Sequence, residues 1–278
     1  MPRCRKAAGH DFSLPAVWGR SSRERPEFSC QITLTRFNLS LQVLSQPNKP
    51  MSDQPKQTIE FLYHTPDEFP APLPAARGIP EWMKEMSPQA PAELTRFRET
   101  STVKRCMPFL DAMTCGYVIP VCADIQFFLR DEHHLEIETT EPMIGTQNPA
   151  QILESPMADS PVFKFNNVWL IKTPPGYSTL FLPLLNQFTL PFQILAGLVD
   201  TDTYYQQVNF PSICRMKPGE RFHLKKGTPI AQAIPMKREV WKTEIGTIDR
   251  VRFDEAGEEL RGNSHCYREN YWSRKGYR

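Results

Sequence analysis

Residues 103–240 carry short runs in which apolar and polar positions alternate, and proline and glycine separate the runs. GYVIPVCADIQFFLRD and HLEIETT flank residues 130–133, and this arrangement predicts a β-hairpin. PVFKFNNVWLIKT and YSTLFLPLL flank Pro174-Pro175-Gly176, which predicts two strands joined by a tight turn. Further strands are predicted in FQILAGLVDTD, TYYQQVNF, ERFHLKKG and TPIAQAIPMKRE. Short strands at this spacing predict an all-β antiparallel sandwich or barrel.

The segment before this core is rich in proline. Residues 65–91 hold seven prolines, so we predict an extended segment that wraps the core. One helical turn is predicted at 80–84, because Pro80 stands at the first helical position, where its missing N–H is harmless. Trp82 and Met83 are expected to pin this turn to the core. A proline-rich docking motif for a partner is the alternative.

The two ends of the chain differ from the core. Residues 1–50 hold eight basic and three acidic side chains, and no apolar run there has the length of a signal peptide or a membrane span. MSDQPKQTIEFLYH, from Met51, has the pattern of a natural start that leads into a first strand. We therefore expect 1–50 to be an upstream extension without a fold of its own; a transit peptide or a nucleic-acid-binding arm is the alternative. At the other end, we predict a short helix over 258–272, weakened by Gly262.

These patterns divide the chain into four parts. Residues 1–50 are the extension, 51–100 the first strand and proline-rich arm, 101–245 the β core, and 246–278 a polar and aromatic tail. The basic and aromatic residues of the tail are typical of a segment that docks on a phosphate or a neighbouring subunit.

Composition narrows the function classes. The net charge is +2, and the chain after residue 50 is slightly negative, so neither a nucleic acid partner for the core nor a membrane is expected. Seven cysteines form none of the usual zinc spacings, which predicts reduced thiols and a cytoplasmic protein. Phosphate-loop, dinucleotide, hydrolase-elbow and zinc-peptidase motifs are absent from the sequence, and it identifies no cofactor.

Three motifs resemble a known superfamily. TPPGYSTLFLP (173–183), LAGLVDTDTYY (195–205) and FHLKKGTPIAQAIPMK (222–237) follow the order and near spacing of the dUTPase and dCTP deaminase superfamily. The resemblance covers about residues 110–237. It implies a dUTPase-like distorted jelly-roll barrel that assembles as a homo-oligomer, a trimer, with sites between subunits.

The resemblance also implies roles for single residues. Asp200 matches the aspartate that orients the attacking water, and Tyr204 stands one residue beyond the position of the tyrosine that stacks on deoxyribose. The phosphate clasp, Pro-Arg-Ser-Gly in the family, is replaced by Leu184-Leu185-Asn186, which removes a cation and a hydroxyl donor from any triphosphate. The glycine-rich C-terminal arm of the family is also missing.

Two sets of residues are therefore candidates for chemistry. Asp200 and Asp202 are two residues apart on a strand end, so they are predicted to share a face and to act as a base or a metal site; the alternative is one turn cap and one solvated carboxylate. Around them, Tyr204, Gln232, Arg274 and Lys275 are the predicted ligand-binding residues. His134 and Glu136 with the distant His223 match the pattern of a two-histidine, one-carboxylate iron site.

Three functions follow from these candidates. The leading hypothesis is a ligand-binding or assembly protein, of phage or prophage type, that keeps the barrel without the phosphate clasp. The first alternative is a divergent enzyme acting on a nucleotide-like ligand with Asp200 as general base. The second alternative is an Fe(II)-dependent barrel oxygenase that uses His134, Glu136 and His223.

Overall fold

The computed structural model describes residues 57–91, 101–148, 160–263 and 265–277. They belong to one compact unit, Pro50–Arg278. The described residues are mostly β-strand with few helices, which confirms the predicted β core. The predicted extension at 1–50 lies outside the described residues, and the four-part division of the chain stays a prediction.

The strands are short and are numbered in chain order. They are β1 (Glu60–Leu62), β2 (Leu73–Pro74), β3 (Tyr117–Pro120), β4 (Ile125–Leu129), β5 (Leu135–Thr139), β6 (Ile144–Thr146), β7 (Val162–Phe165), β8 (Leu170–Lys172), β9 (Tyr177–Pro183), β10 (Phe192–Ile194), β11 (Gly197–Val199), β12 (Phe210–Cys214), β13 (Arg221–Leu224) and β14 (Pro229–Lys237). The α-helices are α1 (Glu81–Glu85), α2 (Met107–Thr114) and α3 (Arg250–Gly262).

The described strands form four antiparallel sheets. The largest has the order β11-β9-β14-β3-β2, and the others have the orders β10-β12-β7-β6, β13-β4-β5 and β1-β8. Within the described residues these sheets do not close into a single barrel, so the distorted jelly-roll barrel stays a prediction. The five-stranded sheet matters most below, because each of the three motifs contributes a strand to it.

The local turns follow the sequence closely. The predicted hairpin is confirmed, since β4 pairs with β5 and the N–H of Arg130 donates to the carbonyl of His134 at 2.9 Å. The Pro-Pro-Gly turn is also confirmed: the N–H of Tyr177 donates to the carbonyl of Pro174 at 3.2 Å, and Gly176 has φ 85°. Glycine adopts this left-handed conformation without steric cost.

The run before that turn is two strands in different sheets, β7 and β8, rather than one. The break lies at Asn167, whose side-chain amide donates to the carbonyl of Trp169 and accepts from its N–H. An asparagine that binds its own backbone in this way competes with strand pairing.

The strand predicted in TYYQQVNF is wrong. The N–H groups of Thr203 and Tyr204 both donate to the carbonyl of Asp200, and the backbone turns there. The next strand, β12, begins only at Phe210, because the local turn bonds take the place of a ladder.

The helices differ more from the prediction. α1 follows Pro80 as expected and buries Met83. α2 was not predicted, because the pattern of 103–240 favours β-strands throughout. Pro108 lies in the first turn of this helix. The helix predicted at 258–272 is replaced by two segments. α3 begins at Arg250, where the Asp249 side chain accepts from the N–H of Arg252, and it ends at Gly262; a short π-helical segment follows at Tyr267–Tyr271. No helix of the described residues combines the length and the apolar content needed to cross a bilayer.

Phenylalanine rings form the centre of the apolar core. Phe127, Phe163, Phe165 and Phe192 are buried, and their paired ring centroids lie 4.9–6.0 Å apart. These rings come from β4, β7 and β10, so three strands of two different sheets share one core.

Candidate functional site

A polar cluster lies where β9 begins, β11 ends and β14 ends. Asp200 follows β11 directly, and Ser178 lies opposite Met236 in the β9–β14 ladder. This register places Arg238, which follows β14, next to both carboxylates that the sequence singled out. We call Ser178, Asp200, Asp202 and Arg238 the carboxylate cluster.

Asp202 is the more enclosed of the two acids, with a side chain only 4% exposed. Its carboxylate accepts from the N–H of Gly176 at 2.8 Å and from both terminal nitrogens of Arg238, one of them at 2.9 Å. The hydrogen bond from Arg238, followed by that from Gly176, lowers the pKa of Asp202 from 3.8 to about 2. A carboxylate held so strongly in its charged form is a poor proton acceptor at neutral pH.

Asp200 is the open acid, with a side chain 63% exposed. The Ser178 hydroxyl donates to its Oδ1 at 2.6 Å, and Nη1 of Arg238 lies 3.2 Å from the same oxygen. Asp200 and Asp202 thus meet at one cation, Arg238. Among the described residues, no group of histidine, cysteine and acidic side chains is arranged to hold a metal ion.

The residue between the two acids points the other way. Thr201 is 2% exposed, and its hydroxyl lies 2.7 Å from that of Thr173 and 2.8 Å from that of Thr179. Thr201 is thus anchored in the core at the start of a turn, and the carboxylates on either side of it both reach Arg238.

Arg238 was not singled out from the sequence. Its guanidinium also donates to the carbonyl of Tyr177 at 3.0 Å and to the Ser178 hydroxyl at 3.2 Å, and the hydrogen bond to Asp202 raises the pKa of Arg238. The only signal in the sequence is a basic residue after a strand, which does not reveal a partner 36 residues away.

The predicted ligand-binding residues lie in three places. Tyr204 is in the turn after Asp200 and is 47% exposed. Gln232 lies six residues before Arg238 on the β14 segment, about 20 Å away at the rise of a strand. Arg274 and Lys275 lie in the tail, so the structure does not bring the predicted set together around Asp200.

Gln232 is buried, at 1% exposure, and its polar atoms bind the protein itself. Its Oε1 accepts from the N–H of Leu185 at 3.1 Å, and its Nε2 donates to the carbonyls of Ala112 and Cys115 at 3.0 and 2.6 Å. The side chain therefore joins β14 to α2 and to the loop after β9.

The C-terminal tail also contacts α2. Nζ of Lys275 and Nε1 of Trp272 both lie on Oδ2 of Asp111, at 2.7 and 2.9 Å. Tyr277 packs edge-on against Tyr117. Arg274 is exposed, and no ion pair of the described residues includes it.

The prediction of an iron site at His134, Glu136 and His223 is wrong, since these residues form no group of metal ligands. The ring of His134 bonds to Asp131, Glu136 pairs with Arg130, and His223 lies 3.4 Å from Asp124. These residues share one face of the β13-β4-β5 sheet without converging, because each polar group is satisfied by a different neighbour.

A stretch of exposed apolar residues follows the carboxylate cluster. Residues 239–249, which we call the arm, connect β14 to α3 and form no strand. Val240, Trp241 and Ile245 are 85–103% exposed, and Ile248 is 61% exposed. Soluble proteins seldom expose large apolar side chains so densely unless another surface covers them.

Comparison with known proteins gives a distant likeness. No protein-family model and no curated protein matches the chain. Among solved structures it is similar to the dUTPase of EIAV, with 12% identity, a TM-score of 0.31, and coverage of 49% of this chain and 85% of that one. It is also similar to the dUTPase of phage phi11 of S. aureus, with 12% identity, a TM-score of 0.28, and coverage of 49% and 83%.

The segment where the resemblance predicted a phosphate clasp has another use here. Leu184 is buried, the N–H of Leu185 donates to Gln232, and Asn186 adopts φ 58° while its amide donates to the carbonyl of Phe109. This loop holds α2 against the sheet. Its side chains thus serve packing rather than offering cationic or hydroxyl groups to a phosphate.

Proposed function

We propose that this protein is an assembly or ligand-binding β module that works as a homo-oligomer, rather than a nucleotide hydrolase. The exposed apolar side chains of the arm carry the proposal. Apolar side chains stabilise a protein when they are removed from water. Contacts within the described part of one chain leave Trp241 and Ile245 in water. The distorted jelly-roll barrel and the trimer are the architecture that we propose for this module.

The carboxylate cluster supports the same proposal. Both acids share Arg238, which lies at the root of the arm, and Asp202 is held ionised. Such a cluster fixes where the arm leaves the sheet, and a structural role of this kind needs no substrate.

The mass of the protein in solution tests the proposal. We expect light scattering to give a multiple of the 32.1 kDa chain for the wild type and a single chain for the double variant Trp241→Ser, Ile245→Ser. Phe188→Ser is the matched control, since Phe188 is 87% exposed but lies outside the arm. A wild-type protein that is monomeric at every concentration would overturn the proposal.

A second candidate is a divergent nucleotide-processing enzyme. Asp200 favours it, because its carboxylate is exposed, accepts from Ser178 and stands four residues before Tyr204. In this candidate Asp200 is the general base and Tyr204 stacks on the sugar.

Nucleotide binding and turnover separate the two candidates. If the protein is a nucleotide-processing enzyme, we expect one class of nucleoside phosphate to raise its melting temperature. The protein should hydrolyse that nucleoside phosphate, and Asp200→Asn should abolish the hydrolysis. The assembly module predicts no hydrolysis of any nucleoside phosphate, either by the wild type or by Asp200→Asn.

A further inference from the structure

Among the described residues, β13 is an edge strand of the β13-β4-β5 sheet. It pairs with β4 on one side, and no described strand lies on its other side. The N–H of Leu129 in β4 donates to the carbonyl of Glu220 at 3.1 Å, so the even-numbered residues of β13 turn their backbone groups toward β4. The N–H and C=O groups of Arg221 and His223 therefore point to the open side of the strand.

The same strand carries basic side chains on its outer face. Arg221 and His223 lie opposite Phe128 and Gln126 of β4, and both are exposed. Lys225 follows at the next alternate position and is exposed as well. We call Arg221, His223 and Lys225 the basic edge.

The cations of the basic edge are not neutralised within the described part of the chain. The guanidinium of Arg221 lies 3.8 Å from the centroid of the Phe128 ring, a stacked contact that uses none of its N–H donors. Neither Arg221 nor Lys225 has a hydrogen bond or an ion pair from its side chain to a described residue. Lys226, by contrast, donates to the carbonyl of Glu68 at 3.3 Å. Arg221 and Lys225 thus keep their donors available for a partner.

The acidic side chains of this sheet lie on its far side. Glu136 and Glu138 belong to β5, two strands away from β13, which is a separation of about 10 Å. Glu136 is also paired with Arg130. A groove of about 260 Å³ lies on this face, and Arg221 and His223 are among the residues that line it. Side chains of a partner therefore have room to approach both basic residues.

We propose that the open side of β13 binds an extended acidic peptide of a partner protein, which adds a strand to the β13-β4-β5 sheet. Main-chain hydrogen bonds to Arg221 and His223 hold the peptide, and its acidic side chains at alternate positions pair with the basic edge. Like charges repel a second basic edge, so the cations select an acidic strand. Binding at this edge requires neither the arm nor the oligomer.

The open backbone groups favour a peptide over a nucleic acid. An added strand satisfies N–H and C=O groups together, as a neighbouring strand of any sheet does. A nucleic acid instead binds mainly through its phosphates, and its affinity grows with the number of cations that contact them. The basic edge is confined to one short strand, and the chain after residue 50 carries a net negative charge.

A synthetic peptide tests the proposal. The probe is the fluorescein-labelled heptapeptide TEVEVET, which has glutamates at alternate positions, and the control peptide is TKVKVKT. We expect fluorescence anisotropy to show saturable binding of the acidic peptide to the full chain and no binding of the basic one.

The double variant Arg221→Glu, Lys225→Glu tests the charges. We expect it to weaken binding of the acidic peptide by about tenfold or more, because it sets like charges against each other. Arg77→Glu, Arg274→Glu is the matched control, since both arginines are exposed and form no ion pair with a described residue. It should bind the peptide as the wild type does, and equal weakening in the two double variants would overturn the proposal.

A proline variant separates strand addition from charge pairing. His223→Pro removes an N–H that points to the open side, while the ladder with β4 and the cations of Arg221 and Lys225 remain. His223→Thr is its control, because threonine keeps the N–H. We expect proline to abolish peptide binding and threonine to preserve it, with both variants folded by circular dichroism. Equal binding by the two would show charge pairing without an added strand, and the proposal would be wrong.

Three further results would overturn the proposal. If the wild type does not bind the acidic peptide, the cations only protect the edge from pairing with other strands. If oligouridine binds more tightly than the peptide at the same salt concentration, the partner is a nucleic acid. If Arg221→Glu, Lys225→Glu lowers the mass by light scattering and no peptide binds, the occupant of the edge is a second copy of this chain.

Discussion

At the residue scale, the carboxylate of Asp202 has a structural role. Its two oxygens are occupied by Arg238 and by the N–H of Gly176, with the side chain almost fully enclosed. We expect Asp202→Asn to lower the melting temperature at pH 7 by several degrees, because the neutral amide keeps the shape but loses the charge that Arg238 requires.

The contribution of Asp202 to stability should depend on pH. The pKa of Asp202 falls from 3.8 to about 2 on folding, so its contribution to stability is complete above about pH 4 and disappears as the pH falls toward 2. The difference in melting temperature between wild type and Asp202→Asn should therefore be constant above pH 4 and shrink below it. Glu138→Gln is the control, since this exposed carboxylate has no ion pair among the described residues. A difference that does not change with pH would contradict the assignment.

The same residues show what local sequence can predict. Asp200 and Asp202 were expected on one face because a strand repeats every two residues. The structure places them in a turn after β11, where both bind Arg238. Arg238 was not predicted because its contact with Asp202, 36 positions away, depends on the registers of both β11 and β14 with β9. Gln232 was predicted to bind a ligand, whereas its side chain binds α2, a helix that was not predicted.

At the element scale, the hydrogen bonds of Gln232 join α2 to the five-stranded sheet. Its replacement by leucine keeps the size of the side chain but leaves the N–H of Leu185 and the carbonyls of Ala112 and Cys115 without their partner. Buried groups left unsatisfied cost about 1–3 kcal/mol, so Gln232→Leu should reduce the free energy of unfolding in urea by about that amount. The exposed Gln206→Leu should change it little, and equal stability for the two variants would show that the bonds of Gln232 are replaceable.

The tail is the second element that α2 holds. Asp111→Ala removes the shared acceptor of Trp272 and Lys275, and partly exposed pairs of this kind contribute roughly 0–1 kcal/mol. We expect little change in melting temperature but faster tryptic cleavage after Arg274 and Lys275, followed by mass spectrometry. Cleavage at an unchanged rate would mean that Tyr277 and its neighbours hold the tail without Asp111.

Elements were predictable where the signal was short-range. The hairpin at 130–133 and the turn at Gly176 depend on residues next to each other, and both were found. α2 was missed because Pro108 stands within a short apolar run that has no helical repeat long enough to read.

At the scale of the whole molecule, assembly makes stability depend on concentration. If the arm of each copy is buried on another, unfolding also separates the copies, and the melting temperature must rise with protein concentration. We expect a wild-type increase of a few degrees over a hundredfold range, and none for Trp241→Ser, Ile245→Ser, because a monomer unfolds in a unimolecular step. Phe188→Ser should keep the wild-type slope, since Phe188 is as exposed as Trp241 but lies in another loop. A slope shared by all three proteins would trace association to a surface other than the arm, and a flat wild-type slope would leave the apolar arm without a partner of its own kind.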